Sequence, residues 1–229
     1  MLDALKRRLR TFANRERATH SLRFFKTGPG QYGEGDRFLG LTVPEMRRVV
    51  REFRELPLAG AEALLASPWH EERLVALMIL VEQYRRTPAA RAAIYRLYLG
   101  RTDRINNWDL VDVSAAHVVG AHLEERSRKP LYRLARSASL WERRIAIVAT
   151  QHFIRRNDFA DTLAIARLLL RDTHDLIHKA TGWMLREVGK RDEAALRAFL
   201  DEHAATMPRT MLRYAIERFP PPLRRHYLG

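Results

Sequence analysis

One short segment of the chain places an indole and a carboxylate at a spacing that suits chemistry. Residues 105–113 read INNWDLVDV, and Trp108 and Asp112 are four residues apart, so a helix would put both on one face. An indole face attracts cations and a carboxylate stabilises positive charge, so the pair suits a reaction in which a cation develops. Asp112 lies among apolar neighbours, and a carboxylate in that setting needs either a pairing group or a role in binding or catalysis. A structural role, pairing with an arginine or capping a neighbouring helix, stays open beside the functional one.

Two later segments add cations and a second indole. The segment 141–147 reads WERRIAI, and Arg144 in it has to be accommodated beside an apolar stripe. The segment 179–186 reads KATGWMLR, in which Gly182 permits close backbone approach beside Trp183. Each feature alone is also typical of a core tryptophan or a solvated arginine. Together they indicate a site.

The composition limits the classes of partner and chemistry. The chain has 229 residues, with 41 Lys and Arg against 27 Asp and Glu, and a formal net charge of +14. A GC-rich genome explains why only five of the basic residues are lysines, but it does not explain the surplus of charge. The surplus favours a polyanion, with nucleic acid first and an anionic membrane surface second. The absence of cysteine excludes disulfides, thiolate zinc sites and thiol nucleophiles.

The elements that would position these residues are helices. Apolar residues recur at helical spacing throughout, which predicts an all-α fold in one domain, 1–229. Start and stop signals place the helices at 2–17, 44–55, 58–66, 69–86, 88–98, 105–120, 130–137, 139–155, 157–170, 174–188, 192–204 and 207–218.

A faint internal repeat suggests how these helices are arranged. The segment that starts at Ser67 is echoed by one that starts at Ser139, at about twice the 35 to 45 residues of a HEAT-like helix pair. Such pairs stack into a curved α-α solenoid, so we expect a basic concave groove that accepts a nucleic-acid duplex. An ordinary globular bundle is the alternative.

Several other patterns predict less. The loop 27–36 matches G-x-G-x-x-G at Gly28, Gly30 and Gly33, but a charged aromatic stretch precedes it, so we interpret it as a mobile connector. His174 and His178 have no convincing third ligand, and we expect no metal. No apolar run is long enough for a bilayer and the first residues are charged, so we expect no membrane association and a cytoplasmic location.

The combination of Trp108, Asp112, Arg144 and Trp183 resembles the AlkD-like family of DNA alkylation repair glycosylases, which are built from HEAT-like repeats. The motifs are W-D-x-V-D on the first helix and K-A-x-G-W-x-L-R-E further on. The similarity extends over nearly the whole chain and includes FLG at 38–40 and PEMRR at 44–48.

The resemblance implies hydrolysis of the N-glycosidic bond of N3- and N7-alkylated purines in duplex DNA, such as 3-methyladenine and 7-methylguanine. An abasic site would remain, and the damaged base would stay in the stack, unlike the base flipping of other glycosylases. Asp112 would be the catalytic carboxylate, and Trp108 and Trp183 would contact the deoxyribose. Arg144 would bind the DNA backbone. Phe24 occupies a position where some members carry a tyrosine, so the aromatic face is kept and the hydroxyl is lost.

Further expectations follow from this interpretation. We expect phosphate contacts from four more basic residues, which are Lys179, Arg186, Arg209 and Arg213. No cofactor and no obligate protein partner are implied, and we expect a monomeric bacterial protein that acts at the nucleoid. One alternative is a non-catalytic HEAT-repeat protein that binds damaged or branched DNA by shape and phosphate contacts. Another is a protein-binding scaffold, which would leave Asp112 and the net charge unexplained.

Overall fold

Helices make up the fold along the whole chain. The computed structural model describes residues 1–229, in which most helices are joined by short turns, residues 25–42 form a longer connection, and the only β-pairing is an isolated bridge between Arg37 and Trp69. The all-α prediction is confirmed. The contacts divide the chain into two compact units, residues 1–118 and 119–229, and the prediction of a single domain stays a prediction. None of the helices has both the length and the apolar character that crossing a bilayer requires.

The first unit is organised around one long helix. Its helices are α1 (Leu2–Arg10), α2 (Arg15–Phe24), α3 (Val43–Glu52), α4 (Leu58–Leu65), α5 (His70–Arg86), α6 (Arg91–Gly100) and α7 (Trp108–Ala115). Helix α5 packs against α3, α4, α6 and α7. Its residues Leu74 to Leu77 are buried in succession, which is typical of a helix with neighbours on all sides. The residues at the start of α5 and α7 are therefore fixed by a common core.

The second unit is organised around α12. Its helices are α8 (Lys129–Ala135), α9 (Leu140–Ala149), α10 (Gln151–Ile154), α11 (Ala160–Leu169), α12 (Asp175–Gly189), α13 (Glu193–His203), α14 (Arg209–Ala215) and α15 (Pro221–Leu228). Helix α12 packs against α9, α11, α13 and α14. A Cβ on Gly182 would lie 2.4 Å from the Met211 carbonyl oxygen and 2.6 Å from Tyr214 Cβ. The predicted close backbone approach at Gly182 is confirmed, and its partner is α14.

The predicted first helix, 2–17, is wrong. The structure breaks it into α1 and α2, with Asn14 between them. The Asn14 side chain accepts a hydrogen bond from the Arg17 backbone N–H at 2.9 Å, and the Asn14 N–H donates to the Leu39 carbonyl at 2.8 Å. Because Asn14 caps α2 and its backbone bonds to Leu39, a residue distant in the sequence, α1 ends before it. Helix α2 then runs to Phe24, through residues that the sequence pattern assigned to no helix.

A hydrogen-bond motif recurs where the turns meet the central helices. Arg73 donates to the carbonyl of Ser67 at 3.2 Å, and Arg143 donates to the carbonyl of Ser137 at 3.0 Å. In both turns the serine hydroxyl accepts the backbone N–H two residues further on. The same arrangement, with Asp172 as acceptor and His178 as donor, occurs at the start of α12.

This motif corrects the register of the predicted repeat. The sequence pattern pairs Ser67 with Ser139, whereas the hydrogen bonds make Ser137 the equivalent residue, 70 positions after Ser67. Asp172 follows 35 positions after Ser137. The sequence pattern gave the wrong register because Trp69 lies two residues after Ser67, whereas Trp141 lies four residues after Ser137. The recurrence at 35 residues supports a helical repeat.

Candidate functional site

Trp108 and Asp112 occupy the first two turns of α7. The helix starts at Trp108 because Asn107 caps it, with the Asn107 side-chain oxygen accepting the Trp108 N–H at 2.8 Å. Both Trp108 and Asp112 are half-buried, whereas Leu110 and Val111 between them are fully buried. The predicted spacing on one helix is confirmed, whereas the helix starts at Trp108 rather than at the predicted residue 105.

A buried tyrosine lies within the electrostatic reach of Asp112. The hydroxyl of Tyr98 is 2.9 Å from Ser114 Oγ, and both residues are fully buried. Burial raises the pKa of Tyr98 and so does the charge of Asp112, against the opposing effect of the hydrogen bond between Tyr98 and Ser114. Tyr98 therefore stays neutral at physiological pH.

An aromatic wall stands beside Trp108. The ring of Phe25 stacks on Trp108 with centroids 5.5 Å apart and an interplanar angle of 27°. Phe24 contacts Trp108 edge to face at 5.9 Å and is 55% exposed. The structure thus brings Phe24 next to Trp108, and the predicted contact of Phe24 with DNA stays a prediction.

The glycine-rich loop 27–36 leads from this wall into the core. It follows helix α2, and the next helix starts only at Val43, so the strand and helix of a dinucleotide-binding fingerprint are absent. Turn hydrogen bonds run through the loop, including Gly33 N–H to the Lys26 carbonyl at 3.2 Å. At its end, Asp36 is buried. The loop is therefore anchored at both ends.

Sequence reasoning missed the group that anchors this loop, which is the first turn of α5. Residues 70–73 are His, Glu, Glu and Arg in succession, and all four are buried, with at most 3% exposure. Glu71 accepts the backbone N–H groups of residues 39–41, and Glu72 pairs with Lys6 and Arg10. The sequence signal that could have revealed this group is the run of four polar residues directly before the apolar residues of α5.

His70 connects two carboxylates from different parts of the first unit. Its Nε2 lies 2.8 Å from Asp109 Oδ2, and its Nδ1 lies 3.4 Å from Asp36 Oδ2. Burial alone would lower the pKa of His70, but the charge and hydrogen bond of Asp109, with the hydrogen bond of Asp36, outweigh it and raise the pKa to about 9. His70 is therefore an imidazolium at neutral pH.

Arg73 completes this charged group. Its guanidinium binds Asp36 Oδ1 at 2.6 Å and is 2% exposed. Burial would raise the pKa of Asp36, but hydrogen bonding to His70 and the charge of Arg73 lower it overall. His70 and Arg73 are thus each paired with a carboxylate, which reduces the cost of burying their charges.

In the second unit, Arg144 is held inside the protein. It is 5% exposed, and its Nη1 donates to the Leu176 carbonyl at 2.6 Å, which joins α9 to the first turn of α12. The guanidinium therefore satisfies a helix carbonyl. Its predicted contact with the DNA backbone stays a prediction.

Helix α12 carries three of the predicted residues. Lys179 pairs with Asp175 at 2.6 Å, and this hydrogen bond is the main reason why the pKa of Asp175 is lowered. Arg186 pairs with Glu217 and is mostly buried. Trp183 is half-buried next to Gly182. Trp183 thus lies where the close contact between α12 and α14 fixes the backbone.

The two remaining predicted residues lie on α14. Arg209 and Arg213 are both exposed, and Arg209 donates to the Leu228 carbonyl. The two histidines considered as metal ligands have structural hydrogen bonds, since His174 caps α12 and His178 binds the Asp172 carbonyl. No group of three or more His, Asp or Glu side chains is arranged to hold a metal ion.

Comparison with known proteins gives a matching family and solved structures with a related fold. A solved structure described as a predicted DNA alkylation repair enzyme from Enterococcus faecalis matches with a TM-score of 0.71 and 17% identity, over 91% of this chain and 97% of that chain. At that identity the likeness concerns the fold. No curated protein matches the sequence. The family model for DNA alkylation repair enzymes matches residues 5–219, nearly the whole chain, and the protein therefore belongs to that family.

Proposed function

We propose that the protein is a DNA glycosylase that hydrolyses the N-glycosidic bond of cationic N3- and N7-alkylated purines in duplex DNA, leaving an abasic site. Family membership supports a role in repair of alkylated DNA. The observation that carries the proposal is Asp112, half-buried one helical turn after a tryptophan that is backed by stacked aromatic rings. A formal net charge of +14 supports binding to a polyanion.

The chemistry follows from the charge of the damaged base. Alkylation at N3 or N7 makes the purine cationic, so the bond from C1′ to the base nitrogen breaks with its electron pair going to the base, which leaves neutral. No general acid has to protonate the leaving group. The sugar becomes oxocarbenium-like, as in other glycoside hydrolysis. Water then adds to C1′ and loses a proton, which completes the reaction.

Asp112 would serve this reaction in two ways. Its negative charge stabilises the cationic sugar in a partly desolvated environment, where such stabilisation is strong. Its oxygens can also orient the attacking water. The indoles of Trp108 and Trp183 would add about 0.5 to 2 kcal/mol each through attraction of the cation to the ring face. These contributions grow as the charge develops, so they raise the rate rather than the affinity for undamaged DNA.

The experiment is release of free base from a duplex that contains a single 7-methylguanine, under single-turnover conditions. Asp112→Asn keeps the shape of the side chain and removes its charge, and we expect release to fall by about 100-fold or more. Asp103→Asn is the matched control, because Asp103 is exposed and belongs to the same unit. Its rate should equal that of the wild type.

The outcomes separate the candidate functions. Release that Asp112→Asn leaves unchanged would remove the proposed mechanism. Tight binding without base release, over a panel of alkylated duplexes, would identify the non-catalytic DNA-binding alternative instead. The proposal also requires that undamaged DNA loses no base, because its neutral purines are poor leaving groups.

A further inference from the structure

The carboxylates around His70 bear on the protonation state of its imidazole. Carboxylates at neutral pH only accept hydrogen bonds, and Asp36 and Asp109 each face one ring nitrogen of His70. A neutral imidazole has one N–H and would present a lone pair to one of the two carboxylates. Both contacts are satisfied only when both ring nitrogens carry a proton.

One carboxylate lies in the loop that follows the aromatic wall, and the other lies in the helix that carries the proposed site. Asp36 ends the glycine-rich loop, and Asp109 immediately follows Trp108 in the first turn of α7. The charged groups that face His70 are these two carboxylates and Arg73 from its own helix. Protonated His70 therefore joins the loop to the start of the helix that carries Asp112.

A second route from His70 to Trp108 runs through stacked rings. The imidazole lies 4.8 Å from the centroid of Phe25 and 4.8 Å from that of Phe38. Phe25 in turn stacks on Trp108 at 5.5 Å. The indole is thus held by its neighbour Asp109 along the chain and by Phe25 across space, and both contacts converge on one imidazole.

We propose that doubly protonated His70 is a positioning residue, which fixes the first turn of α7 and the Trp108 indole for base excision. The inference rests on the proposed glycosylase function. Loss of the proton breaks one of the two carboxylate contacts and leaves Asp36 and Asp109 opposed by one cation fewer. Trp108 then loses its fixed orientation, and the rate of base release falls while the phosphate contacts that bind DNA persist.

The first test is the pH dependence of single-turnover base release from the 7-methylguanine duplex, from pH 6 to 9.5. With a pKa of about 9, only a quarter of His70 is protonated at pH 9.5. His70→Gln keeps a neutral donor toward Asp109, and titration of the damaged base and of other groups affects both proteins. The ratio of the wild-type rate to the His70→Gln rate should therefore fall about fourfold between pH 7 and 9.5. His226→Gln, at an exposed position on α15, should keep the wild-type profile.

The second test asks whether the effect passes through Trp108. His70→Phe keeps a ring and removes both hydrogen bonds, and we expect a loss of about 10- to 100-fold in rate at pH 7, the size expected for a misplaced catalytic group. In a Trp108→Phe background the same change should have little further effect, because the residue that His70 positions is already gone. A general loss of folded structure would instead multiply the two defects. If His70→Phe does not fold, His70→Gln in both backgrounds gives the same comparison.

A third measurement does not depend on enzymatic activity. The indole N–H resonance of Trp108, assigned with the Trp108→Phe variant, should shift with a midpoint near pH 9 in the wild type and stay fixed in His70→Gln. An indole that titrates in a protein that releases no base would refute the glycosylase function and retain the coupling. Base release that is insensitive to His70 substitution, together with an indole that does not titrate, would overturn the positioning role.

Discussion

We predict that raising the pH from 6 to 9.5 removes about 3 kcal/mol of stability that His70 supplies to the folded protein. The ordinary pKa of histidine, 6.5, is raised to about 9 in the folded state. One pKa unit corresponds to about 1.4 kcal/mol, so a shift of about 2.5 units corresponds to about 3 kcal/mol. His70 is 2% exposed, so solvent screening does not reduce this value.

The sign follows from which state binds the proton more tightly. The folded state holds the His70 proton better than the unfolded chain, so the contribution is complete below pH 6.5 and disappears as the pH rises through about 9. Asp36 acts in the opposite direction and at lower pH. Its pKa is lowered in the folded state, so its contribution is lost only when acid protonates the carboxylate.

The assay compares urea unfolding of the wild type and His70→Gln at pH 6, 7.5, 9 and 9.5. Lysines, tyrosines and other groups titrate in both proteins, so the difference between their unfolding free energies isolates His70. That difference should shrink by about 3 kcal/mol from pH 6 to 9.5. Circular dichroism and indole fluorescence should give coincident transitions, which tests that one free energy describes the unfolding. A difference that stays constant across this range would show that His70 is neutral in the folded protein and would refute the reasoning.

Three further predictions concern other parts of the structure. Gly182→Ala should destabilise the protein by about 1 to 3 kcal/mol in urea unfolding, because its Cβ would lie 2.4 Å from the Met211 carbonyl oxygen; a neutral effect would show that α12 and α14 separate easily. Arg73→Met should cost about 3 to 5 kcal/mol, since it leaves Asp36 buried with one cation fewer, and a smaller loss would mean that His70 alone balances the carboxylate. Phe24→Ala should change stability by less than about 1 kcal/mol, because the ring is 55% exposed, while base release falls; equal release by both proteins would exclude a role for this ring.

The sequence predicts features that depend on local pattern. Helical periodicity predicted the fold class and placed Trp108 and Asp112 on one helix, and the glycine beside Trp183 predicted a close helix contact. Each of these depends on residues within one or two turns of each other. The absence of a side chain at Gly182 is visible in the sequence itself, although the partner helix is not.

Features that depend on distant segments were missed. Asp36 and Asp109 lie 34 and 39 residues from His70, so no local pattern indicates that they meet. The break at Asn14 has the same origin, since its backbone bonds to Leu39 and the residues around it also fit a continuous amphipathic helix.

Helix α15 was missed because three prolines at 220–222 suggest a loop, whereas proline is well tolerated in the first turn of a helix.

The charges near α7 suggest why a cation is placed at its start. Asp109 and Asp112 are three residues apart on one helix, a spacing at which like charges repel. His70 lies 2.8 Å from Asp109, so the first of these charges is paired with a buried cation. Asp36 is matched in the same way by Arg73 at 2.6 Å. Asp36 and Asp109 are therefore each paired with a cation, and they add little to the electrostatic field at Asp112. Without the proton on His70, repulsion from Asp109 would act on the turn that carries Asp112, and the proposed reaction depends on where that carboxylate is held.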